Sequence, residues 1–387
     1  MMSEGTPFRK LRLVHVTEGR SRADSLHGGD ISLYHFTKNL AALGHEVRFV
    51  GLTDKPPAEI PGVDTVSARK SAIPVMATSE FEKKLSEFQP DFLHFHGAYV
   101  PGNAAGARVA RRLGIPYVVT PHGNINQDVL ERRAILKKPY RLFFELPMLE
   151  GARFVHAIAD REDIRKYGVT TPIEEARNGI DLPLDFRPSP KREGVTRFGV
   201  DPEKQVLLYL GRLDQEQKGL DVLVEAMTLA AKDDSKLHLI LAGVDWKDDR
   251  HQLEEQIAGL GLEERVTFTG AIYGEEKAGL LRDCDLFVHP SRWEAGVPFS
   301  VLEGLAYGKP VIVTPEVDRE SLLAGSPAVE VVDGSVEMIA EKIAAFTSVL
   351  PDRGEEFAGE ARRLCEEHFS WKASAMKLTE AYWKHLP

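Results

Sequence analysis

The chain has 387 residues, of which 43% are hydrophobic and 28% charged, and its formal net charge is −10. This length predicts two or three domains, and the balanced composition excludes disorder and fibres. The only cysteines, Cys284 and Cys365, exclude a disulfide framework and a cysteine-based zinc site, so a reducing cytoplasm is expected. No stretch resembles a signal peptide or a run of about 18 apolar residues, which predicts a soluble or at most peripheral protein.

The charge is distributed unevenly about the proline-rich stretch at residues 182–191. Residues 1–190 carry 26 Lys and Arg against 23 Asp and Glu, whereas the remainder carries 23 against 36. The first half is thus mildly basic and the second acidic. A pI of 5.8 without interleaved basic and aromatic residues argues against nucleic acid as a partner.

Short apolar runs alternate with segments of helical periodicity, which predicts βα units and parallel sheets. In the first half, the predicted helix at residues 31–43 has apolar residues at spacings of three and four and ends at Gly44. The predicted strands of this half are residues 11–16, 47–50, 92–95, 117–120 and 154–157.

The second half repeats this plan, with a helix at residues 220–230. Its predicted strands are residues 206–210, 237–241, 266–268, 286–288 and 311–313. We predict two doubly wound Rossmann-like domains, at residues 1–187 and 188–367. The last segment, residues 368–387, is predicted to be an amphipathic helix that packs back on the N-terminal domain.

Ligands of open α/β sheets bind beyond the carboxyl ends of the strands, so the segments that follow the strands are the candidate sites. After the first strand, Gly28 and Gly29 would let backbone N–H groups approach a phosphate or a sugar. An ordinary loop with Asp30 as the helix N-cap is the alternative. No GxGxxG follows this strand and the chain contains no GxxxxGK[ST], which disfavours dehydrogenases and P-loop NTPases.

Two further strand ends in the first half carry a His-Gly pair, at His96 and His122. A histidine at such a position can donate a hydrogen bond to a phosphate or a sugar hydroxyl, although a single histidine is more often only a satisfied polar residue. The occurrence of two at strand ends favours a ligand.

In the second half, Arg212 and Lys218 bracket the loop between a strand and a helix N-terminus. Two cations and a helix dipole at one place suit a diphosphate leaving group. The alternative is a pair of solvated surface cations.

The segment at residues 289–310 places two carboxylates, Glu294 and Glu303, around one loop and the start of a helix. A carboxylate can accept hydrogen bonds from adjacent sugar hydroxyls. Two surface glutamates are the alternative, but the apolar neighbours Trp293, Val297 and Phe299 disfavour full solvation.

Several stretches in one order resemble the retaining glycosyltransferases of the GT-B fold, family 4, over nearly the whole chain. These stretches are the Gly28-Gly29 loop, GHEV at 44–47, TPHG at 120–123, NGID at 178–181, GRLDQEQKG at 211–219 and HPSRWE through LEGLAYGKPVI at 289–312. The resemblance implies two Rossmann-like domains facing across a cleft, a nucleotide-diphosphate sugar on the C-terminal domain and an acceptor on the N-terminal domain. It also implies that neither cofactor nor metal is needed.

The resemblance assigns a role to each matching residue. Catalytic roles fall to Glu294, His122, Arg212 and Lys218, with the two cations on the diphosphate and Glu294 on the donor sugar. Acceptor-side positions are His96 and Asn124. Donor-binding positions are Glu303, which holds the ribose hydroxyls, and Gly28, Gly29, Gly296, Val297 and Asn178.

The spacing of the two glutamates departs from the family pattern. The family separates them by seven residues, whereas eight lie between Glu294 and Glu303 here. Either Glu294 reaches the sugar through a wider turn, or backbone atoms near Ala295 take its role.

The expected activity is transfer of a hexosyl group from a UDP- or GDP-linked sugar to a sugar or lipid-linked sugar acceptor with retention of configuration, in polysaccharide or glycoconjugate synthesis. Two alternatives remain open. One is a nucleotide-sugar epimerase or hydrolase of the same fold, and the other is a non-catalytic nucleotide-sugar binding protein.

Residues 130–144 interleave five cations with aromatic and aliphatic residues. Such a segment suits peripheral contact with the inner face of an anionic membrane. An ordinary cationic helix face over an apolar core is the alternative.

Overall fold

The computed structural model describes residues 9–19, 28–55, 57–73, 76–122, 125, 138–159, 161–232, 236–294 and 296–387. The chain divides into two compact units, one formed by residues 1–179 and 371–387 and the other by residues 180–370. The units change over at Gly179 and Trp371, compared with the predicted boundaries after residues 187 and 367. Each unit is an α/β domain built on a parallel sheet.

The N-terminal unit has a seven-stranded sheet in the order β3-β2-β1-β4-β5-β6-β7. The strand order reverses between β1 and β4, so a crevice forms beyond their carboxyl ends. The strands are β1 (Arg12–Thr17), β2 (Glu46–Leu52), β3 (Asp64–Ala68), β4 (Phe92–His96), β5 (Tyr117–Thr120), β6 (Phe154–Ala157) and β7 (Ile173–Glu175).

Helices lie between most of the strands of this unit along the chain. They are α1 (Gly28–Ala42), α2 (Ser79–Phe88), α3 (Pro101–Arg112), a π-helical turn (Arg141–Glu145), α4 (Leu146–Glu150) and α5 (Arg161–Lys166). The described part of α1 begins at Gly28, three residues before its predicted start, so Asp30 lies within the first turn and is not the N-cap.

The C-terminal unit has a six-stranded parallel sheet in the order β10-β9-β8-β11-β12-β13, and its order reverses between β8 and β11. The strands are β8 (Gln205–Leu210), β9 (Leu237–Ala242), β10 (Val266–Gly270), β11 (Leu286–His289), β12 (Val311–Val313) and β13 (Val329–Val331). The helices are α6 (Glu193–Thr196), α7 (Gln215–Lys218), α8 (Leu220–Ala230), α9 (Asp249–Gly259), α10 (Gly274–Asp283), α11 (Phe299–Ala306) and α12 (Val336–His368).

Both sheets are wider than predicted, because three edge strands escaped the sequence pattern. These strands, β3, β7 and β13, are short and half polar, and only their first or last residue is fully buried. The central strands are buried along nearly their whole length. An edge strand covered on one face lacks the continuous apolar run that identified the central strands.

The last helix, α13 (Trp371–Lys384), packs on α1 and β7 of the N-terminal unit. His45 joins it to the sheet, because its Nδ1 accepts the Leu11 N–H at 3.1 Å and its Nε2 lies 3.0 Å from Thr379 Oγ1. Trp371 stacks on His35 with 4.7 Å between ring centroids. The terminal segment therefore belongs to the first domain although it follows the second along the chain.

No helix in the described part of the chain is both long and apolar enough to cross a bilayer.

Candidate functional site

Two loops follow the adjacent strands β8 and β11, at the reversal point of the second sheet. The Gln217 carbonyl in the first loop accepts hydrogen bonds from the Ser291 hydroxyl at 3.0 Å and the Arg292 N–H at 2.8 Å in the second. Gly219 has φ +64°, and a Cβ there would lie 2.3 Å from the Pro290 carbonyl oxygen. Only glycine therefore lets the two loops approach this closely.

These loops bring Lys218 and Glu294 together. The Lys218 ammonium donates to Glu294 Oε1. The same oxygen accepts from the Ser291 hydroxyl at 2.8 Å and lies 3.2 Å from His289 Nε2. Within the described part of the chain, no group donates to the other carboxylate oxygen, Oε2. The pair is shielded, with side-chain exposures of 10% for Lys218 and 11% for Glu294.

The site holds a carboxylate and a neutral imidazole. Burial by itself would raise the pKa of Glu294, but the hydrogen bond from His289 and the charge of Lys218 lower it to about 2. Burial lowers the pKa of His289, although its bond to Glu294 opposes the shift. Glu294 is therefore ionised at neutral pH and His289 donates through Nε2. Neither Lys218 nor Glu294 is a solvated surface charge.

Arg212 lies beside this pair without touching it. Its guanidinium donates to Gln217 Oε1 at 2.9 Å and stacks over Trp246 at 4.4 Å. Gln217 in turn donates to the Trp293 carbonyl at 3.2 Å. Arg212 remains 40% exposed, so a held but accessible guanidinium flanks the buried ion pair.

Glu303 lies on α11, the helix that follows the second loop. Its carboxylate pairs with Lys277 of α10 at 2.6 Å, and its side chain is 20% exposed. Gly296, with φ +125°, and Val297 are half-buried in the loop before the helix, and no side chain caps the α11 N-terminus. Glu303 and Glu294 are therefore held by different lysines.

A cavity of about 500 Å³ opens beside α7. Its lining includes Asp214, Asp221, Lys247 and Trp293. None of Arg212, Lys218, Glu294 or Glu303 lines it, so this cavity is separate from the predicted donor residues.

In the N-terminal unit, His122 and Gly29 lie against each other. His122 has φ +54°, a left-handed conformation that is uncommon outside glycine. A Cβ on Gly29 would lie 3.6 Å from the His122 ring. Gly28 and Gly29 form the first turn of α1, and from the second turn the Ser32 hydroxyl donates to Asn178 Oδ1 at 2.7 Å. The structure thus gathers the predicted donor residues of this unit around one helix end.

His96, predicted to face the acceptor, lies inside the domain with 2% exposure. Its Nε2 is 2.9 Å from His15 Nδ1, and its Nδ1 is 3.0 Å from His122 Nε2. His15, His94 and His96 have ring nitrogens within 4.8 Å of one another, which is close enough for three ligands of one metal ion. Hydrogen bonds already engage both nitrogens of His94 and His96, so this cluster is filled by internal contacts.

The sequence alone did not point to the residues that hold the two glutamates. His289 and Ser291 belong to the HPSRWE motif at the end of β11, and their place in that motif could have identified them as contacts of Glu294. Lys277 lies within α10, where nothing distinguishes it from other helical lysines. Asn124 and most of the segment at 130–144 lie outside the described residues.

Comparison with known proteins places both halves in one family. The family model described as Glycosyltransferase Family 4 matches residues 26–183, and the model described as Glycosyl transferases group 1 matches residues 204–348. Together they span most of both units. The chain belongs to glycosyltransferase family 4, and it is a glycosyltransferase of the GT-B type.

Individual relatives resemble this chain only at low sequence identity. Mannosylfructose-phosphate synthase of Agrobacterium fabrum is 28% identical over 60% of this chain and 55% of its own length. GDP-mannose-dependent alpha-mannosyltransferase of Corynebacterium glutamicum is 25% identical over 88% of this chain and 77% of its own. The chain thus spans little more than half of the first relative.

Among solved structures, Anabaena HepE in complex with UDP and glucose superposes with a TM-score of 0.71. Its sequence identity is 17%, with 96% of this chain and 99% of that chain covered. This similarity confirms the predicted fold.

Proposed function

We propose that the protein transfers a hexosyl group from a UDP- or GDP-linked sugar to a sugar or lipid-linked sugar acceptor, with retention of configuration, in polysaccharide or glycoconjugate synthesis. The observation that carries this proposal is the buried Lys218–Glu294 pair at the ends of β8 and β11. A relative named for GDP-mannose and a structural neighbour solved with UDP support the two bases considered.

The pair supplies two complementary functions to such a donor. An ammonium has three N–H donors, of which Glu294 takes one, so Lys218 keeps two for diphosphate oxygens. Arg212 adds a second cation from the exposed side. Stabilising the charge that develops on a leaving diphosphate is the largest contribution that such a site makes to the rate.

Glu294 would hold the sugar. Its Oε1 is engaged by Lys218, Ser291 and His289, which fixes the carboxylate and leaves Oε2 to accept sugar hydroxyls. Fixed in this way, Glu294 can keep its family role despite the additional residue before Glu303. Glu303 would accept the ribose hydroxyls from α11.

In the proposed reaction, the bond between the anomeric carbon and the phosphate oxygen breaks and the acceptor oxygen bonds on the same face. The acceptor proton passes to the leaving phosphate oxygen, so no protein base is required. NMR of the purified product reports the anomeric configuration directly. A product of inverted configuration would overturn the retaining assignment.

We propose further that donor binding needs no metal, because Arg212, Lys218 and the helix ends supply the positive charge. The test is thermal unfolding with UDP, GDP or ADP in parallel, each with and without EDTA. A ligand that binds only the folded state raises the melting temperature. We expect UDP or GDP to raise the melting temperature by the same amount with and without EDTA. A shift that EDTA abolishes would contradict metal independence.

Glu303→Ala sharpens this test. Losing the ribose contact should reduce the shift produced by the same nucleotide, whereas the exposed Glu366→Ala control on α12 should retain it. If no nucleotide shifts any of the three proteins, the donor-site assignment is wrong.

The acceptor side includes an apolar surface that suits a lipid-linked substrate. In the π-helical turn, Leu142 is 61% exposed and Phe143 is 68% exposed, and both lie near the end of the cationic segment at residues 130–144. Apolar side chains beside cations are typical of peripheral contact with anionic lipid. Flotation with vesicles containing phosphatidylglycerol should recover the protein, and Leu142→Ser with Phe143→Ser should not. Equal recovery of both proteins would remove this membrane contact.

A further inference from the structure

Five histidines, four of them buried and the fifth, His122, half-buried, occupy one region of the N-terminal unit. His15 on β1 is the register partner of His94 on β4, and His96 lies two residues further on the same face. His156 lies on β6, and His122 follows β5. Central strands of a parallel sheet normally carry apolar residues at such positions, so the four histidines on β1, β4 and β6 require an explanation.

Two of the histidines belong to a network whose proton positions are fixed. His156 Nε2 lies 2.8 Å from the Ala176 carbonyl, which can only accept, so this nitrogen carries the hydrogen. His156 Nδ1 must then accept from the Thr120 hydroxyl at 2.7 Å. Thr120 accepts from His94 Nε2 at 2.6 Å, and His94 Nδ1 accepts from the Tyr382 hydroxyl at 2.5 Å. The Ala176 carbonyl thus determines the position of every proton from His156 to Tyr382.

The other three histidines form a chain without such an anchor. His15 Nδ1 meets His96 Nε2 at 2.9 Å, and His96 Nδ1 meets His122 Nε2 at 3.0 Å. The terminal atoms, His15 Nε2 and His122 Nδ1, have no hydrogen-bond partner among the described residues. Burial lowers the pKa of both end histidines to about 3, so the chain is neutral at physiological pH.

Neutrality leaves only two proton arrangements. Each imidazole carries one hydrogen and each nitrogen–nitrogen contact needs exactly one. Either all three rings carry it on Nδ1 or all three carry it on Nε2. In the first arrangement His122 offers Nδ1–H as a donor, and in the second it offers Nδ1 as an acceptor.

We propose that His15 and His96 are positioning residues that set the tautomer of His122, so that the three histidines switch together when a hydroxyl-bearing ligand meets His122 Nδ1. The assignment of that ligand as the donor sugar rests on the function proposed above. A ligand hydroxyl can donate or accept a hydrogen bond. Because no protein group fixes the proton positions of the three histidines, His122 Nδ1 can match the hydroxyl in either role. The strained backbone of His122 and its packing on Gly29 hold the ring at the end of the chain.

The contacts favour this chain over a metal site. His94 Nδ1 and Nε2 are both held by hydroxyl groups, and both nitrogens of His96 are held by other histidines. A metal ion bound by His15, His94 and His96 would break several of these bonds. Zinc uptake is therefore a measurable outcome that would contradict the proposal.

Ring-nitrogen NMR of ¹⁵N-histidine-labelled protein tests the chain without any enzyme activity. We expect His15, His96 and His122 to report one common tautomer fraction, and His94 and His156 to be protonated on Nε2. His15→Leu leaves His96 Nε2 without a partner, which should move His122 toward the Nδ1–H form. His15→Asn, whose amide can donate or accept, should restore the wild-type signal.

The control is His45→Leu, which removes another buried histidine of the same domain that lies outside the chain. It should lower stability without moving the His122 signal. With an active donor and acceptor pair, His15→Leu should lower kcat about tenfold with little change in the donor KM, as loss of an orienting partner does elsewhere. His15→Asn should recover most of this loss.

Unequal tautomer fractions in the wild type, an unmoved His122 signal in His15→Leu, or uptake of one equivalent of zinc by this cluster would each overturn the chain. Absence of transfer by the wild type with every donor would instead count against the proposed function, because the ring-nitrogen prediction does not depend on turnover.

Discussion

The two domains place different chemistry at the same point of the same fold. On the central strands at the reversal of the first sheet, and just beyond them at His122, lie neutral histidines that hydrogen-bond to one another and to hydroxyl groups. Beyond the reversal of the second sheet lies a buried ion pair, Lys218 and Glu294, flanked by Arg212. Neutral groups that donate or accept suit sugar hydroxyls, whereas fixed charge suits a diphosphate. The fold provides the location, and the side chains decide what each location binds.

The largest expected consequence is a difference in acid stability. Burial lowers the pKa of six histidines in the N-terminal unit: His15, His45, His94, His96, His122 and His156. A folded pKa below the ordinary 6.5 means that this stability is complete above pH 6.5 and is lost as the pH falls toward 4 and 3. Each such histidine lowers the free energy of unfolding by up to about 1.4 kcal/mol for every pH unit of acidification in that window.

The Lys218–Glu294 pair also loses stability as the pH falls, but only at lower pH, because the Glu294 pKa is about 2 and the carboxylate stays ionised well below pH 5. Only two histidines with lowered pKa values, His238 and His289, lie in the described C-terminal unit. Hydrogen exchange at pH 7 and pH 5, corrected for intrinsic rates, should show β1, β4 and β6 losing protection before β8 and β9. Equal losses in both sheets would contradict the contrast.

The charged site is broken most directly by Lys218→Ala. Removing one preorganised donor at developing charge should lower the transfer rate by about 10²-fold to 10³-fold. Glu294 would also lose its buried counter-charge, so thermal unfolding must establish that the variant is folded. The exposed Lys372→Ala control on α13 should transfer at the wild-type rate. Wild-type activity in folded Lys218→Ala would remove Lys218 from the mechanism.

The contact between the two loops of the charged site is tested by Gly219→Ala. Both Gly219, at φ +64°, and Gly261, at φ +69°, are left-handed, but a Cβ on Gly261 would meet nothing within 4 Å. Gly261→Ala should therefore lower the free energy of unfolding only by the conformational cost, about 1 kcal/mol. Gly219→Ala should lower it by about 2 kcal/mol more, because its Cβ also meets the other loop. Urea unfolding measures the stability of both variants. Equal losses of stability would show that the two loops can move apart at little energetic cost.

The smallest effect concerns the neutral network. Tyr382→Phe removes the hydroxyl that donates to His94 and leaves a buried ring nitrogen without its partner. We expect a loss of about 1 to 3 kcal/mol in the free energy of unfolding. The exposed Tyr273→Phe should be neutral. A neutral Tyr382→Phe would mean that the hydrogen bond between Tyr382 and His94 adds nothing to the docking of α13.

Much of this architecture could be predicted from local patterns. The apolar runs of β4, β8 and β9 identified the central strands, because a strand buried on both faces leaves a continuous apolar signature. The short edge strands β3, β7 and β13 left no such signature. The helix start at Gly28 was also misplaced, since Asp30 resembles an N-cap in sequence but lies within the first turn.

The sequence by itself determined the two parallel sheets, the family, and the strand ends where ligand-binding residues gather. It did not determine which side chains meet. Lys218 and Glu294 are 76 positions apart, and His15 and His96 are 81 apart. Such contacts depend on strand register and on how closely two loops approach, as at Gly219. These are properties of packing between distant segments, and no local periodicity encodes them.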